Sequence, residues 1–227
     1  MKLLKLLLIL SLYSQVLSAQ ENQIKENTNV WNDLRHAWKS WWISHPSASL
    51  LDYGVFHYRK TFELKEVPKT FVVHVSADNR YRLYVNGTFI SEGPVKNDFL
   101  HWNYESVDIA PYLHPGANVI AAQVYNFGNY RQPSQFSRYT AFILQGELPD
   151  QYFVNSNETW KVYHNKAYSP IFITEQMAHG FYVTGPCDSL EAAKYPRGWE
   201  QVTFDDSAWP RAKGFVQDRG TGRGYIH

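Results

Sequence analysis

The 227-residue chain has a single cysteine, Cys187. One thiol cannot close an intrachain disulfide, and its isolation excludes a thiolate-rich metal site. Net charge is nearly absent as well, with 22 Lys and Arg set against 21 Asp and Glu. No basic stripe gathers anywhere, so the electrostatic footprint of a nucleic-acid binder is missing. Past the N-terminal leader, no apolar run approaches the ~20 residues a membrane-spanning helix needs. Also missing are a Gly-x-Ser-x-Gly elbow, a His-Glu-x-x-His pair and a phosphate-cradling glycine loop. His164 and His179 are too isolated to suggest a metal site. No succession of amphipathic helices occurs, which excludes a helical barrel. What the chain has in excess is aromatic residues, 16% of the total. Such rings fill β-rich cores and also form platforms for sugars.

The first residues read as an address. Met1-Lys2-Leu3-Leu4-Lys5 is a short basic start, Leu6 to Leu12 is apolar, and Leu17-Ser18-Ala19 ends in small residues. This is the pattern of a secretory signal peptide cut after Ala19, and it predicts a secreted or periplasmic protein. Residues 20–40 form a lead-in that starts polar. Trp31, Leu34, Trp38 and Trp41 then recur at helical spacing, while Trp41-Trp42-Ile43 before Pro46 also reads as a buried strand.

From Gly54 the period falls to two. Val55–Phe62 is rich in aromatic and β-branched residues, and Thr70–Ala77 follows Pro68, so both are predicted strands. Tyr81, Leu83 and Val85 share one face; Arg80, Arg82 and Tyr84 share the other, where the arginines are expected to be solvated. Asn86-Gly87 tolerates positive φ at both central turn positions, so Thr88–Ser91 should fold back on Tyr81–Val85 as a hairpin. Asn118–Tyr125 and Tyr139–Gln145 are further strands. Trp160–Tyr163 and Pro170–Thr174 are weaker candidates, Ser189–Tyr195 suits a short helix, and Trp199 and Trp209 pin ordered loops. Cys187 is expected to be a small buried residue.

Short strands punctuated by turn residues predict an all-β, antiparallel jelly-roll β-sandwich of the galactose-binding-domain-like kind, with a smaller and less regular C-terminal portion. The sandwich should occupy 41–149. Residues 150–215 are an extension or the start of a second sandwich, and 216–227 has the composition of a linker.

Several segments carry a specific likeness. Phe56-His57-Tyr58-Arg59-Lys60-Thr61-Phe62 and Ser76-Ala77-Asp78-Asn79-Arg80-Tyr81-Arg82-Leu83-Tyr84-Val85-Asn86-Gly87 come first. Val107–Leu113, Pro115–Ala121, Val183–Pro186 and Phe204–Trp209 follow in order. Together they resemble the N-terminal β-sandwich region of bacterial alpha-L-rhamnosidases, glycoside hydrolase family 78-like enzymes. The resemblance implies a hydrolase family whose catalytic carboxylates lie on an (α/α) barrel; this chain has no counterpart of that barrel. It therefore implies a non-catalytic front end, with a C-terminal catalytic domain as the expected partner.

Glycoside hydrolysis needs two carboxyl groups facing each other across a sugar. Asp78, Glu92, Asp98, Glu105, Asp108, Asp205 and Asp206 are available, but no spacing selects a pair, and turn or strand-end roles explain several. The resemblance points instead to rhamnose recognition through a calcium ion, by an Asp-Asn pair, an aromatic residue and a second Asn. Here Asp78 and Asn79 would hold both metal and sugar, with Trp102 and Asn126 completing the site. Calcium takes 6–8 oxygen ligands, which a carboxylate, amide oxygens and a vicinal diol can share. Each residue has a plainer reading: Asp78-Asn79 as a turn, Trp102 as core, Asn126 as a strand terminator. Three functions stay open: a carbohydrate-binding module of a secreted alpha-L-rhamnosidase-like enzyme acting on rhamnose-containing glycans, a free-standing lectin-like binder, or a purely structural packing module.

Overall fold

The computed structural model describes residues 38–95, 102–131, 135–171, 173–178 and 187–214. The chain divides into two units, Met1–Trp38 and Lys39–His227; the architecture that follows is that of the second. The leader, residues 31–37 of the candidate helix, His179 and the 216–227 tail all lie outside the described residues.

Two five-stranded sheets face each other. The first has the order β12-β1-β8-β3-β6, built from Lys213–Gly214 (β12), Ile43–Ser44 (β1), Ala141–Gly146 (β8), Val72–Asp78 (β3) and Glu105–Asp108 (β6). The second has the order β5-β4-β7-β2-β9, built from Thr88–Gly93 (β5), Arg80–Val85 (β4), Gly116–Asn126 (β7), Gly54–Leu64 (β2) and Lys161–His164 (β9). A separate two-stranded ribbon pairs Tyr168–Ile171 (β10) with Cys187–Leu190 (β11). The strand pairs are antiparallel throughout. Among the described residues, the only α-helical turn is Glu175–Ala178, and no helix is long and apolar enough to cross a membrane. The fold is the all-β antiparallel sandwich the strand pattern predicts.

Alternation explains the core. Phe56 and Tyr58 of β2, Tyr81, Leu83 and Val85 of β4 and Ile120, Ala122 and Val124 of β7 point inward. They meet Val73, Val75 and Ala77 of β3 and Phe142 and Leu144 of β8. The β4–β5 hairpin turns on Asn86 (φ 48) and Gly87 (φ 83), the positive dihedrals that this dipeptide permits. Asn86 also ties the turn to β7: its Oδ1 accepts from Val119 N at 2.9 Å and its Nδ2 donates to Asn118 Oδ1 at 2.8 Å.

The second sheet is buried on its outer face as well. Val119 and Ala121 pack outward against Trp199 and Trp209, joined by Tyr84, Tyr163, Tyr195, Val202 and Phe204. Residues 195–209 thus form a third layer without strands. Arg59 clamps it: Nε donates to Asp206 Oδ2 at 2.8 Å, and the terminal nitrogens donate to the carbonyls of Trp199, Gln201 and Phe204. His57 lies under Trp199, 4.0 Å between ring centroids, and burial holds its imidazole down to about 3.

Several expectations need correction. Ser189–Tyr195 is not a helix; β11 takes its first residues because Leu190 to Cys187 pair with Tyr168 to Ile171, and only a 3-10 turn follows at Ala192–Lys194. Cys187 is exposed, since that ribbon packs neither face deeply. Trp41 and Trp42 lie outside any helix, next to β1. As for the C-terminal portion, β9 extends the second sheet beside β2 and β12 extends the first beside β1, so both complete the one sandwich.

Candidate functional site

One end of the sandwich gathers the residues singled out for sugar binding. Strand β3 ends there at Asp78 and β4 leaves at Arg80, so Asn79 alone forms the connection; the peptide bond between Asp78 and Asn79 is cis. Strand β7 arrives at the same end with Asn126, and β8 departs from it at Ala141. The connection 45–53 and the described parts of the next one, 127–131 and 135–140, meet at this end, with Thr140 N donating to the Leu50 carbonyl at 2.7 Å.

Asp78 is 3% exposed. Its Oδ2 accepts from the backbone N–H groups of Arg138 at 2.6 Å and Tyr139 at 3.1 Å, and its Oδ1 accepts from Asn79 Nδ2 at 2.7 Å. Burial pushes its carboxyl pKa up, while the hydrogen bonds from Arg138, Ser137, Tyr139 and Asn79 pull the other way. Asn79 is buried too. Its backbone N–H donates to the Tyr125 carbonyl at 3.1 Å, and its Oδ1 accepts from Phe127 N at 2.9 Å. Asn126 donates to Thr140 Oγ1 at 2.7 Å and accepts from Gly128 N at 2.7 Å. Three connections are therefore stitched together by Asp78, Asn79 and Asn126, with Ser137 and Thr140 as members that strand reasoning missed.

Trp102 stands at the flank of this group. The β3–β6 register pairs Val75 with Glu105; continued outward it brings Trp102 level with Asp78, and Ser76 Oγ donates to the Asn103 carbonyl at 2.7 Å. The ring meets Trp42 edge-on at 6.1 Å, and its buried Nε1–H finds no acceptor among the described residues. More open rings lie on the 127–140 connection, where Tyr130, Phe136 and Tyr139 are exposed. Their density around Asn126 is the sequence signal that could have marked this loop.

The oxygens at Asp78 and Asn79 are of the hard kind calcium prefers. However, the carboxylate's acceptor positions are all engaged by N–H and O–H donors, and the nearby amide oxygens also accept. Among the described residues no group of three or more His, Cys, Asp and Glu could hold a metal ion. This donor set does not by itself make a calcium site.

The other described carboxylates weighed as a catalytic pair have structural partners. Asp108 caps Phe71 N and Ala110 N, and Asp205 caps Ser207 N. Asp206 holds Arg59, Glu92 meets Arg82, and Glu105 accepts from Tyr81 Oη and Val95 N. Asp98 lies outside the described residues. His164 stacks on Phe56 at 4.5 Å.

Fold and loop geometry together define a two-sheet β-sandwich module with a polar, ring-flanked cluster at one end. The family model for the alpha-L-rhamnosidase N-terminal domain matches residues 65–223, and the chain belongs to that family. Among solved structures it is similar to the GH78 family rhamnosidase of Bacillus sp. GL1, at 24% identity and a TM-score of 0.68, over 79% of this chain and 18% of that one. It is also similar to the alpha-L-rhamnosidase of Dictyoglumus thermophilum (20% identity, TM-score 0.60, 84% of this chain, 22% of that one). The alpha-L-rhamnosidase of Aspergillus terreus matches at 17% identity and a TM-score of 0.59, over 78% of this chain and 21% of that one. These likenesses are of fold, and the chain spans about a fifth of the length of those enzymes. No curated protein matches it.

Proposed function

We propose that the chain is a non-catalytic, exported carbohydrate-binding module of an alpha-L-rhamnosidase-like glycoside hydrolase, and that its loop end grips rhamnose-containing glycans. One observation carries the reading: Asp78, Asn79 and Asn126, far apart in sequence, converge in one hydrogen-bonded cluster on the loop-bearing end, with Trp102 beside it. Such a cluster fixes the loops, so the groups facing a sugar are held in place before it arrives. The Trp102 indole N–H is buried and has no acceptor among the described residues, so this ring backs the cluster, while the exposed rings nearby suit the C–H face of a pyranose. The structural roles of Glu92, Glu105, Asp108, Asp205 and Asp206 favour binding over turnover.

Calorimetric titration with L-rhamnose, with and without added calcium, tests the reading. Heat of binding is expected from the wild-type chain, and Trp102→Ala and Asn79→Ala should remove it while far-UV circular dichroism stays native. Saturating sugar that gives no heat in either condition would end the assignment. An aryl rhamnoside should show no turnover with this chain.

A further inference from the structure

The outer face of the second sheet holds a recess distinct from the loop-end cluster. Arg80 and Arg82 on β4, Gln123 and Tyr125 on β7, and Tyr168 and Asp188 from the β10–β11 ribbon line a cleft of about 480 Å³. A second depression of about 500 Å³ shares Arg82 and Glu92 with it and runs on over Tyr84 and Phe89. Both volumes fall in the range of small-ligand sites.

The charges in this cleft are unevenly spent. Asp188 is occupied on both oxygens, accepting from Tyr53 Oη at 2.6 Å and from Tyr125 Oη. Glu92 pairs with Arg82 at 3.3 Å. Gln123 Nε2 donates to Tyr168 Oη at 3.4 Å. Arg80 is left over: its guanidinium makes no hydrogen bond or ion pair with any described residue. It is half-buried rather than freely solvated, in a cleft whose other lining includes Tyr125, Phe127 and Tyr168. A guanidinium offers a planar fork of donors that matches a carboxylate. The rings beside it present apolar surface of the sort that covers the C–H face of a sugar.

We propose that this cleft binds an acidic saccharide, with the carboxylate of a uronate unit on Arg80 and neighbouring sugar units running past Arg82 toward Phe89. Among the described residues lining the cleft, Glu92 is paired with Arg82 while Asp188 keeps its charge under two tyrosine hydroxyls, so the unpaired Arg80 fork is the place a ligand carboxylate can occupy. The proposal does not depend on the loop-end reading, because free L-rhamnose carries no carboxylate.

The test titrates the whole 227-residue chain with trigalacturonate and with its methyl ester, which keeps the shape and removes the charge. The acid is expected to bind, and esterification to weaken it by roughly tenfold or more, the loss expected for a hydrogen bond to a charged group. Arg80→Ala should weaken the acid to the same degree, and high salt should weaken it too. Gln123→Glu sets a carboxylate into the same cleft and gives a second readout independent of Arg80 packing; it should also cut acid binding. The proposal is overturned if trigalacturonate gives no binding, if acid and ester bind alike, or if both variants bind the acid as the wild type does.

Discussion

Arg59 offers the sharpest test of how the third layer is held. It is 1% exposed and makes hydrogen bonds to three main-chain carbonyls and the Asp206 carboxylate, with its guanidinium 5.2 Å from the Phe204 ring centroid. Arg59→Met keeps the apolar stem but leaves those acceptors without their donor. Each orphaned buried carbonyl costs on the order of 1 kcal/mol, and loss of the ion pair adds to that, so a total of roughly 3–5 kcal/mol is expected. For a domain of this size that corresponds to a fall in melting temperature on the order of 10 °C. Asp206→Asn should cost less, about 1–2 kcal/mol, because the Asp206 side chain is 21% exposed and water can replace part of the contact. Equilibrium urea unfolding followed by tryptophan fluorescence reads both, since Trp199 and Trp209 lie in the layer itself. Arg59→Met within about 1 kcal/mol of wild type would refute the reasoning; the layer would then sit on the sheet without being part of its cooperative fold.

Two further outcomes follow from buried groups and turn geometry. His57 is held neutral in the fold at about 3, so below its ordinary value of 6.5 the unfolded chain takes up a proton that the folded chain refuses. Stability should be full above that value and fall as pH drops toward 3, with His57→Gln flattening part of the slope in denaturant midpoints; parallel slopes would contradict the assignment. Gly87 and Gly116 both have positive φ, but an added Cβ would meet the Gln201 side chain at Gly87 and open space at Gly116. Alanine should therefore cost about 1–2 kcal/mol at Gly116 and more at Gly87, and equal losses in urea melts would show that Gln201 simply moves aside.

The strands that alternate were legible, and so was the Asn86-Gly87 turn, because two-residue periodicity and a positive-φ dipeptide are local signals. Strand β6 was not. Glu-Ser-Val-Asp carries one apolar residue, and its pairing at the sheet edge comes from β3 rather than from its own composition. The third layer left a trace that period-two reasoning passes over: Val119-Ile120-Ala121-Ala122 is apolar on both faces, as a strand covered on both sides must be. The burial of Arg59 was beyond reach, since its partners lie some 140 residues away. Asp78-Asn79 and Asn126 could each be picked out as residue types, but their meeting depends on β4 and β7 lying side by side. Only the sheet order supplies that.

Strands β1 and β12 lie next to each other and run in opposite directions. Strand β1 runs toward the pole that bears Asp78 and β12 away from it, and the register sets Gly214 beside Ile43, Ile43 beside Phe142 and Phe142 beside Ala77, so the last described residue stands next to that pole.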